Sequence, residues 1–264
     1  MSRIGTTTLR WLVLAAGCAA WQAWATWRNS PFFPPLSAIV MRMYHQWFSG
    51  PPAHLLLTRG AMENVLPSLG RVAAGLAIAV IVGLPLGIAI GRWQALSAYL
   101  EPLLHFARSL PAVALTTVFL TIFSLGTQSE VAFIAFGTTW PILVNTIDGA
   151  RSLDPLQADT ARAFHLPPGQ RITKLIVPAT MPKFFAGLRI SVALALVLMV
   201  VSELVGGSNG IGYQMNYASG NLDMPGLWAG IVLIGIFGYA LNAALLGVER
   251  HVLAWHRGAR SPTN

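Results

Sequence analysis

Length, composition and charge place this chain of 264 residues in a lipid environment. Apolar residues make up 55% of it and charged residues only 10%, with a mean hydropathy of +0.60. A soluble domain carries about a quarter charged residues because its surface faces water, whereas a chain surrounded by lipid has no such need. The net charge of +8 comes largely from arginines scattered between apolar runs, without a nucleic-acid recognition module. These features exclude an ordinary soluble domain and argue against nucleic-acid binding.

Six apolar runs are long enough to cross about 30 Å of hydrocarbon. The third and fourth are short and contain Pro111 and Pro141, which neighbouring helices can accommodate in lipid. The first could instead be a cleaved signal peptide, but its length and tryptophan content favour a retained anchor. We therefore predict an all-α membrane protein with about six transmembrane helices. In chain order the predicted spans are Leu9–Trp27, Val72–Gly91, Phe106–Leu125, Val131–Ile147, Phe184–Val205 and Leu227–Val248.

The distribution of positive charge predicts the orientation. With the N-terminus in the cytoplasm, 13 Lys and Arg residues lie on the cytoplasmic side and 4 on the outer side, as the positive-inside rule requires. Both termini, the 92–105 connection and the loop at 148–183 are then cytoplasmic, and the family resemblance given below implies a bacterial inner membrane. We expect a first helix and periplasmic segment at 1–64, a transmembrane domain at 65–248 and a basic cytoplasmic tail at 249–264.

The second predicted span has a small residue at every fourth position. Such a stripe lets two helix backbones approach closely in lipid. Packing within one bundle and contact between subunits explain it equally well. Its members are Gly75, Ala79, Gly83, Gly87 and Gly91.

Enzymatic and metal chemistry find little support in the sequence. Cys18 is the single cysteine, and the six histidines show no metal-ligand spacing. The G-x-S-x-G pattern around Ser208 follows an apolar span rather than a strand, so it predicts a flexible outer loop instead of a nucleophile elbow. No phosphate-binding G-x-x-x-x-G-K-[ST] pattern occurs. We predict neither a metal nor a bound cofactor, and no ATP hydrolysis by this chain.

Glu203 is the main acidic residue inside a predicted span, two residues from its outer end. Ionisable residues in lipid are costly and pair with one another or line a pathway. Two interpretations stay open, an interfacial charge paired with a neighbour and a candidate outer gate. No relay of acidic residues typical of a proton-driven carrier is visible.

The stretch from Asp148 to Lys183, called the basic loop below, carries both lysines of the chain. Asp154 and Pro155 predict a capped helix start, and Pro167-Pro168-Gly169 predicts a turn. A second short helix is expected at about 170–177. An apolar stripe on the first helix favours a docking element over a plain connection. Its members are Leu156, Thr160, Ala163, Phe164 and Pro167.

The basic loop resembles the EAA loop of ABC importer permeases of the binding-protein-dependent type. Asp159-Thr160-Ala161 stand at the Glu-Ala-Ala positions, His165 at the glycine six residues on, Gln170 at a frequent glutamine and Pro178 at the proline. Further stretches resemble the nitrate, sulfonate and taurine branch of that family. They are Ser68–Gly75, Arg108–Pro111, Phe123–Gly126, Pro141–Thr146 with Gly149, and Ser202–Leu204 followed by Gly210–Gly212.

The resemblance implies a permease subunit that forms the pathway for a small anion such as a sulfonate, taurine or nitrate. It implies two ATPase subunits that bind the ATP, a second permease copy (a homodimer, or a heterodimer with another permease) and a periplasmic substrate-binding protein. A stand-alone secondary transporter or channel is the alternative, and a hydrolase using Ser208 is a third. The resemblance places the ATPase contact at Asp159, Thr160, Ala161, Arg162, Phe164, His165, Leu166, Pro167 and Gln170.

Three positions depart from the family pattern. Asp159 keeps the charge on a shorter arm, and Thr160 is a mild change. His165 matters most, because glycine takes positive φ at a turn without strain and histidine does not. The resemblance then implies either altered coupling or a degenerate partner in a heterodimer of permeases.

Overall fold

The computed structural model describes residues 3–254, with side chains from Thr8 onward, and this part of the chain is helical without strands. Short 3-10 or π-helical turns connect several of the α-helices. The α-helices are α1 (Arg3–Arg28), α2 (Leu36–Met43), α3 (Leu66–Arg92), α4 (Gln94–Ser109), α5 (Thr116–Phe123), α6 (Thr127–Arg151), α7 (Pro155–Ala163), α8 (Pro168–Arg171), α9 (Val177–Gly206), α10 (Ile211–Gly220) and α11 (Met224–Val252).

The chain divides into two compact units. One comprises the chain up to Pro67 together with Asn209–Gly235, and the other comprises Ser68–Ser208 and the chain from Ile236 onward. The basic loop and the predicted glycine stripe both belong to the second unit. Most of the predicted tail at 249–264, residues 255–264, lies outside the described residues.

Four helical segments in the described residues are long and apolar enough to cross a membrane, or five if one bent pair counts as a span. They are Ala61–Arg92, Thr127–Arg151, Pro168–Gly206 and Met224–Val252. The predicted first span coincides with α1, which is helical but is not among these segments, because arginine, glutamine and tryptophan dilute its apolar content. The chain is thus a multi-helical membrane protein, and its six-span count stays a prediction.

The predicted third span, Phe106–Leu125, is wrong as a single helix. Its first part belongs to α4 and its second part to a helical segment that starts at Ala112, and the two are bent by 84°. The break falls at Pro111, which has no N–H to continue a helix. Pro111 also pushes Leu110 into an extended conformation (φ −70°, ψ 125°). The predicted 92–105 connection is likewise helical, as most of α4.

The glycine stripe of α3 packs against α6 of the same chain. A Cβ at Gly75 would lie 2.5 Å from Ile134 Cγ2, and one at Gly87 would lie 2.6 Å from Thr146 Cβ. Gly83 and Gly91 meet α6 in the same way, and Ala79 is fully buried. The stripe therefore brings two backbones together within one subunit, as small residues do in lipid.

The basic loop contains one separate short helix rather than the two predicted. Instead of a second short helix at 170–177, the chain is helical from Pro168 to Gly206, through a π-helical turn at Ile172–Ile176. Pro178 lies inside this continuous helix, directly after the π-helical turn, where its missing N–H removes one backbone hydrogen bond without ending the helix. The docking element that the sequence predicted is thus connected directly to a membrane-spanning helix.

Candidate functional site

The basic loop presents α7, whose start follows from Asp154 and Pro155. The Asp154 carboxylate accepts a hydrogen bond from Leu156 N at 2.9 Å, and Pro155 occupies the first helical position. The cap satisfies one of the unpaired N–H groups at the helix start, and Pro155 has no N–H that needs a partner. The predicted helix start is therefore correct, and it sets the direction in which α7 leaves α6.

The C-terminal end of α7 is a Schellman turn formed by Phe164, His165 and Leu166. His165 N donates to Arg162 O at 2.9 Å, and Leu166 N donates to Ala161 O at 3.0 Å. Between them His165 has a φ of +49°, in the left-handed region. This is the position where such turns favour glycine, so the histidine carries local backbone strain of about 1–2 kcal/mol.

The chain after this turn is fixed by a further hydrogen bond. Arg171 Nε donates to Leu166 O at 2.8 Å. The bond satisfies a carbonyl just beyond the Schellman turn and ties it to α8. Pro167 and Pro168 lie between these residues and restrict the backbone further. The strained turn is therefore held from both sides.

The outer surface of α7 is apolar and open. Leu156 is 72% exposed and Phe164 is 77% exposed. Asp159 and Arg162 form an ion pair of 3.2 Å on the same helix, with both side chains about two-thirds exposed. The remaining predicted docking residues, Thr160, His165, Pro167 and Gln170, are exposed, while Leu166 is half-buried. An exposed leucine and phenylalanine on a capped helix form a surface suited to a protein partner.

Two buried residues anchor this element to the rest of its unit. Leu153 and Ala161 are 8% and 6% exposed, so α7 has an inner face as well as an outer one. The small Ala161, at the last of the three EAA-like positions, lies on the inner face. The structure thus separates the predicted docking residues into an exposed set, the half-buried Leu166 and the buried Ala161.

Glu203 lies in a buried charge cluster with Arg71 and Glu130. Arg71 Nη1 is 2.8 Å from Glu203 Oε1, and Arg71 Nε is 2.5 Å from Glu130 Oε2. All three side chains are no more than 3% exposed. The cluster joins α3, α6 and α9, and its geometry places Glu203 in a charge pair with neighbouring helices.

Hydroxyl groups complete part of this cluster. Ser68 Oγ donates to Glu203 Oε1 at 2.6 Å, and Thr127 Oγ1 accepts from Arg71 Nη2 at 3.2 Å. Within the described part of the chain, Glu130 makes its ion pair without a hydrogen bond of regular geometry. The Arg71 guanidinium therefore faces two carboxylates that differ in their hydrogen bonds. Glu203 also accepts from Ser68, whereas Glu130 has no hydrogen bond of regular geometry among the described residues.

Sequence reasoning missed Arg71 and Glu130 as members of this cluster. Arg71 is one of the four positive charges predicted on the outer side, and Glu130 lies directly before the fourth predicted span. The available signal was that three ionisable residues stand at the ends of apolar runs, where each needs a partner. Their spacing along the chain does not reveal which ones meet.

Ser208 lies in an exposed loop between α9 and α10. A helix rather than a strand precedes it, so the strand–turn–helix geometry of a nucleophile elbow is missing here. The hydrolase hypothesis loses its structural context at this serine.

Comparison with known proteins agrees with the resemblance. Residues 79–254 match the family model described as "Binding-protein-dependent transport system inner membrane component". A Bacillus subtilis protein, described as the putative aliphatic sulfonates transport permease protein SsuC, is 31% identical over 76% of this chain and 73% of its own length. The Escherichia coli taurine transport system permease protein TauC is 26% identical over 85% of this chain and 80% of its own.

Solved structures show the same fold. A chain of the MetNI methionine ABC transporter in an inward-facing conformation aligns with a TM-score of 0.63 at 21% identity. The alignment covers 76% of this chain and 98% of that one. With a family model covering two-thirds of the residues, the chain belongs to the inner membrane components of binding-protein-dependent transport systems, the permeases of ABC importers.

Proposed function

We propose that this chain is the permease subunit of an ATP-driven importer for a small anion, and that α7 is the contact with the ATPase. The observation that carries the proposal is α7 itself. Its start is capped by Asp154, its end is closed by a Schellman turn, and its leucine and phenylalanine face outward. A short helix held at both ends can transmit a displacement, whereas a mobile loop absorbs it.

The division of labour follows from the chemistry of the chain. No phosphate-binding loop occurs in the sequence, so ATP is bound and hydrolysed by a separate subunit. The chain itself needs no cofactor. Two permease copies enclose the pathway, and a periplasmic binding protein supplies the substrate. Both chain termini and the basic loop lie in the cytoplasm, because positive charge is concentrated there.

The relatives support the substrate class. SsuC and TauC are described as sulfonate and taurine permeases. The bicarbonate transport system permease protein CmpB of Synechococcus elongatus is 31% identical over 75% of this chain. Sulfonates and bicarbonate are small oxyanions, and the substrate proposed here is of that kind.

The test of the ATPase contact is co-purification. The full chain is expressed with a candidate ABC ATPase subunit from the same organism, as wild type and as the Leu156→Ser/Phe164→Ser variant. We expect the variant to lose the ATPase while it stays in the membrane, since truncating a central aromatic anchor costs about 2 kcal/mol or more. Leu55→Ser/Leu222→Ser removes two similarly exposed apolar side chains outside the basic loop; it is the control and should retain the ATPase. Equal retention by all three proteins contradicts the proposal.

A second function has one observation in its favour. The charge cluster puts three ionisable side chains inside helices α3, α6 and α9, and such residues also occur in ion-coupled carriers. In vesicles, a stand-alone secondary transporter takes up substrate when an ion gradient is imposed without ATP. An ABC importer requires ATP, its ATPase and its binding protein, and is indifferent to dissipation of the gradient.

A further inference from the structure

We propose that a cavity behind α7 binds the anionic headgroup of a phospholipid. The cavity has a volume of about 640 Å³ and lies between the start of α7 and the helix 168–206. Its walls are Ser152, Leu153, Asp154, Gln157, Lys174, Leu175, Pro178, Ala179, Pro182 and Lys183. Nothing in the proposed ATPase contact uses these walls, since Leu156 and Phe164 face outward.

Both lysines of the 264-residue chain line this one cavity. The other 15 of the 17 Lys and Arg residues are arginines. A lysine ammonium is a compact charge with three donors, able to meet phosphate oxygens from several directions. The two lysines stand nine residues apart on one helical segment and line the same cavity. They therefore form one candidate site, in contrast to the scattered arginines whose charge orients the chain in the membrane.

The two ammonium groups are available for a ligand. In the described part of the chain the ion pairs involve arginines rather than either lysine. Lys183 Nζ donates once, to Asp148 O at 3.1 Å, which fixes its position and leaves further donors. Asp154 is the acidic residue in the wall, and its Oδ1 accepts the N–H of Leu156. The cavity therefore has a net positive charge.

The position along the helix favours a lipid over a soluble ligand. Lys183 directly precedes Phe184 and Phe185, which are buried at the start of the apolar part of the helix. The predicted span Phe184–Val205 begins directly after Lys183, so in the proposed orientation Lys183 stands on the cytoplasmic side, near the lipid phosphates. Lys174 is nine residues earlier, roughly 13 Å along the axis. Leucine and proline side chains between them suit the glycerol end of a lipid, and basic pockets of this kind hold anionic headgroups.

The experiment measures lipid binding to the purified full-length chain in detergent. The protein is titrated with phosphatidylglycerol, with phosphatidylcholine and with inorganic phosphate, and bound lipid is counted by native mass spectrometry. We expect phosphatidylglycerol to bind in preference to phosphatidylcholine. The Lys174→Gln/Lys183→Gln variant should bind phosphatidylglycerol roughly thirtyfold more weakly, as expected for the loss of two basic groups near a membrane surface.

A matched variant keeps the test independent of net charge. Arg92→Gln/Arg108→Gln removes two exposed arginines outside the cavity and should leave the affinity for phosphatidylglycerol unchanged. Unfolding of each lipid-free variant shows whether the protein is still folded. The proposal is overturned if both double variants lose affinity equally, if the two lipids bind alike, or if inorganic phosphate occupies the lysines while phosphatidylglycerol does not. ATPase binding is not part of this test, so its outcome stands apart from the proposed coupling.

Discussion

The outer face of α7 and the charge cluster place polar and apolar groups in opposite ways. On α7, a leucine and a phenylalanine are exposed, and the Asp159–Arg162 ion pair is solvated. In the cluster, an arginine and two glutamates are buried among membrane-spanning helices. Exposed apolar groups gain energy only when a partner covers them, whereas buried charges cost energy unless their partners are already present. The first region is thus suited to the proposed contact with another subunit, and the charges of the second are paired within one chain.

The largest expected effect is a loss of folding stability when Arg71 is replaced. This prediction tests most directly whether the charge cluster differs from the outer face of α7. Arg71→Met leaves Glu130 and Glu203 buried without a counter-charge, and removing one partner of a buried pair costs about 3–5 kcal/mol. Thermal and denaturant unfolding of the purified protein should show a loss in this range. Arg59→Met removes an exposed pair with Glu63 and is the control, with an effect of about 0–1 kcal/mol.

A rescue variant distinguishes the effect of losing the Arg71 charge from the effect of losing the packing of its side chain. The triple variant Arg71→Met/Glu130→Gln/Glu203→Gln has no buried charge in the cluster, and it should recover most of the lost stability. If Arg71→Met is no worse than Arg59→Met, the cluster is not an interdependent unit. If the triple variant is as unstable as Arg71→Met, the shape of Arg71 matters more than its charge.

A smaller effect is expected at the cap of α7. Asp154→Ala removes the acceptor of the Leu156 N–H, and the loss of such a cap costs about 1 kcal/mol. Hydrogen exchange of the first-turn amides of α7 should become several times faster, while the amides of α6 keep their rates. Asp159→Ala serves for comparison, because its carboxylate caps no N–H in the described structure. Equal exchange in both variants would show that Asp154 does not hold the helix start.

His165→Gly tests the strained end of the same helix. Glycine takes the left-handed conformation without the steric cost that histidine has, so we expect α7 to gain up to about 1 kcal/mol of local stability. The measurement is hydrogen exchange, which should be slower at the amides of position 165 and Leu166 in the variant than in the wild type. Ala163→Gly, in the last helical turn, should have the opposite sign. A loss of protection in His165→Gly would mean that the imidazole makes a contact worth more than the strain.

The smallest effect is expected at the surface pair of α7. Asp159→Ala/Arg162→Ala removes an ion pair that is about two-thirds exposed on both sides, and exposed pairs contribute about 0–1 kcal/mol. The free energy of unfolding should change by less than about 0.5 kcal/mol, and raising the salt concentration should make the difference smaller still, because salt screens exposed charges. A change comparable to that of Arg71→Met would erase the distinction between the two regions.

Local signals are enough to predict where α7 begins. Asp154 followed by Pro155 is a helix start that needs no tertiary information, and it was predicted correctly. The left-handed residue was also suspected at His165, since spacing placed it where relatives have glycine. The residues predicted as a second short helix at about 170–177 are helical, but they continue into α9, because Pro178 and Pro182 do not end the helix. Proline alone does not distinguish a helix end from a position inside a helix.

Contacts between residues that are far apart in the chain could not be predicted from the sequence. Arg71, Glu130 and Glu203 come from three helices far apart in the chain, and no spacing rule brings them together. The third predicted span failed for a different reason. Pro111 was treated as a tolerable kink, but with the preceding Leu110 extended it ends one helix, and the next segment leaves at 84°.

The helix from Pro168 to Gly206 is long and continuous, so a small tilt about one end displaces the other end. At 1.5 Å per residue its 39 residues extend about 58 Å, from the turn that follows α7 to the level of the charge cluster. A tilt of one degree about one end displaces the other end by about 1 Å at this length. If α7 makes the proposed ATPase contact, a displacement of about 3 Å at the turn after α7 corresponds to a tilt of only about 3° along this helix.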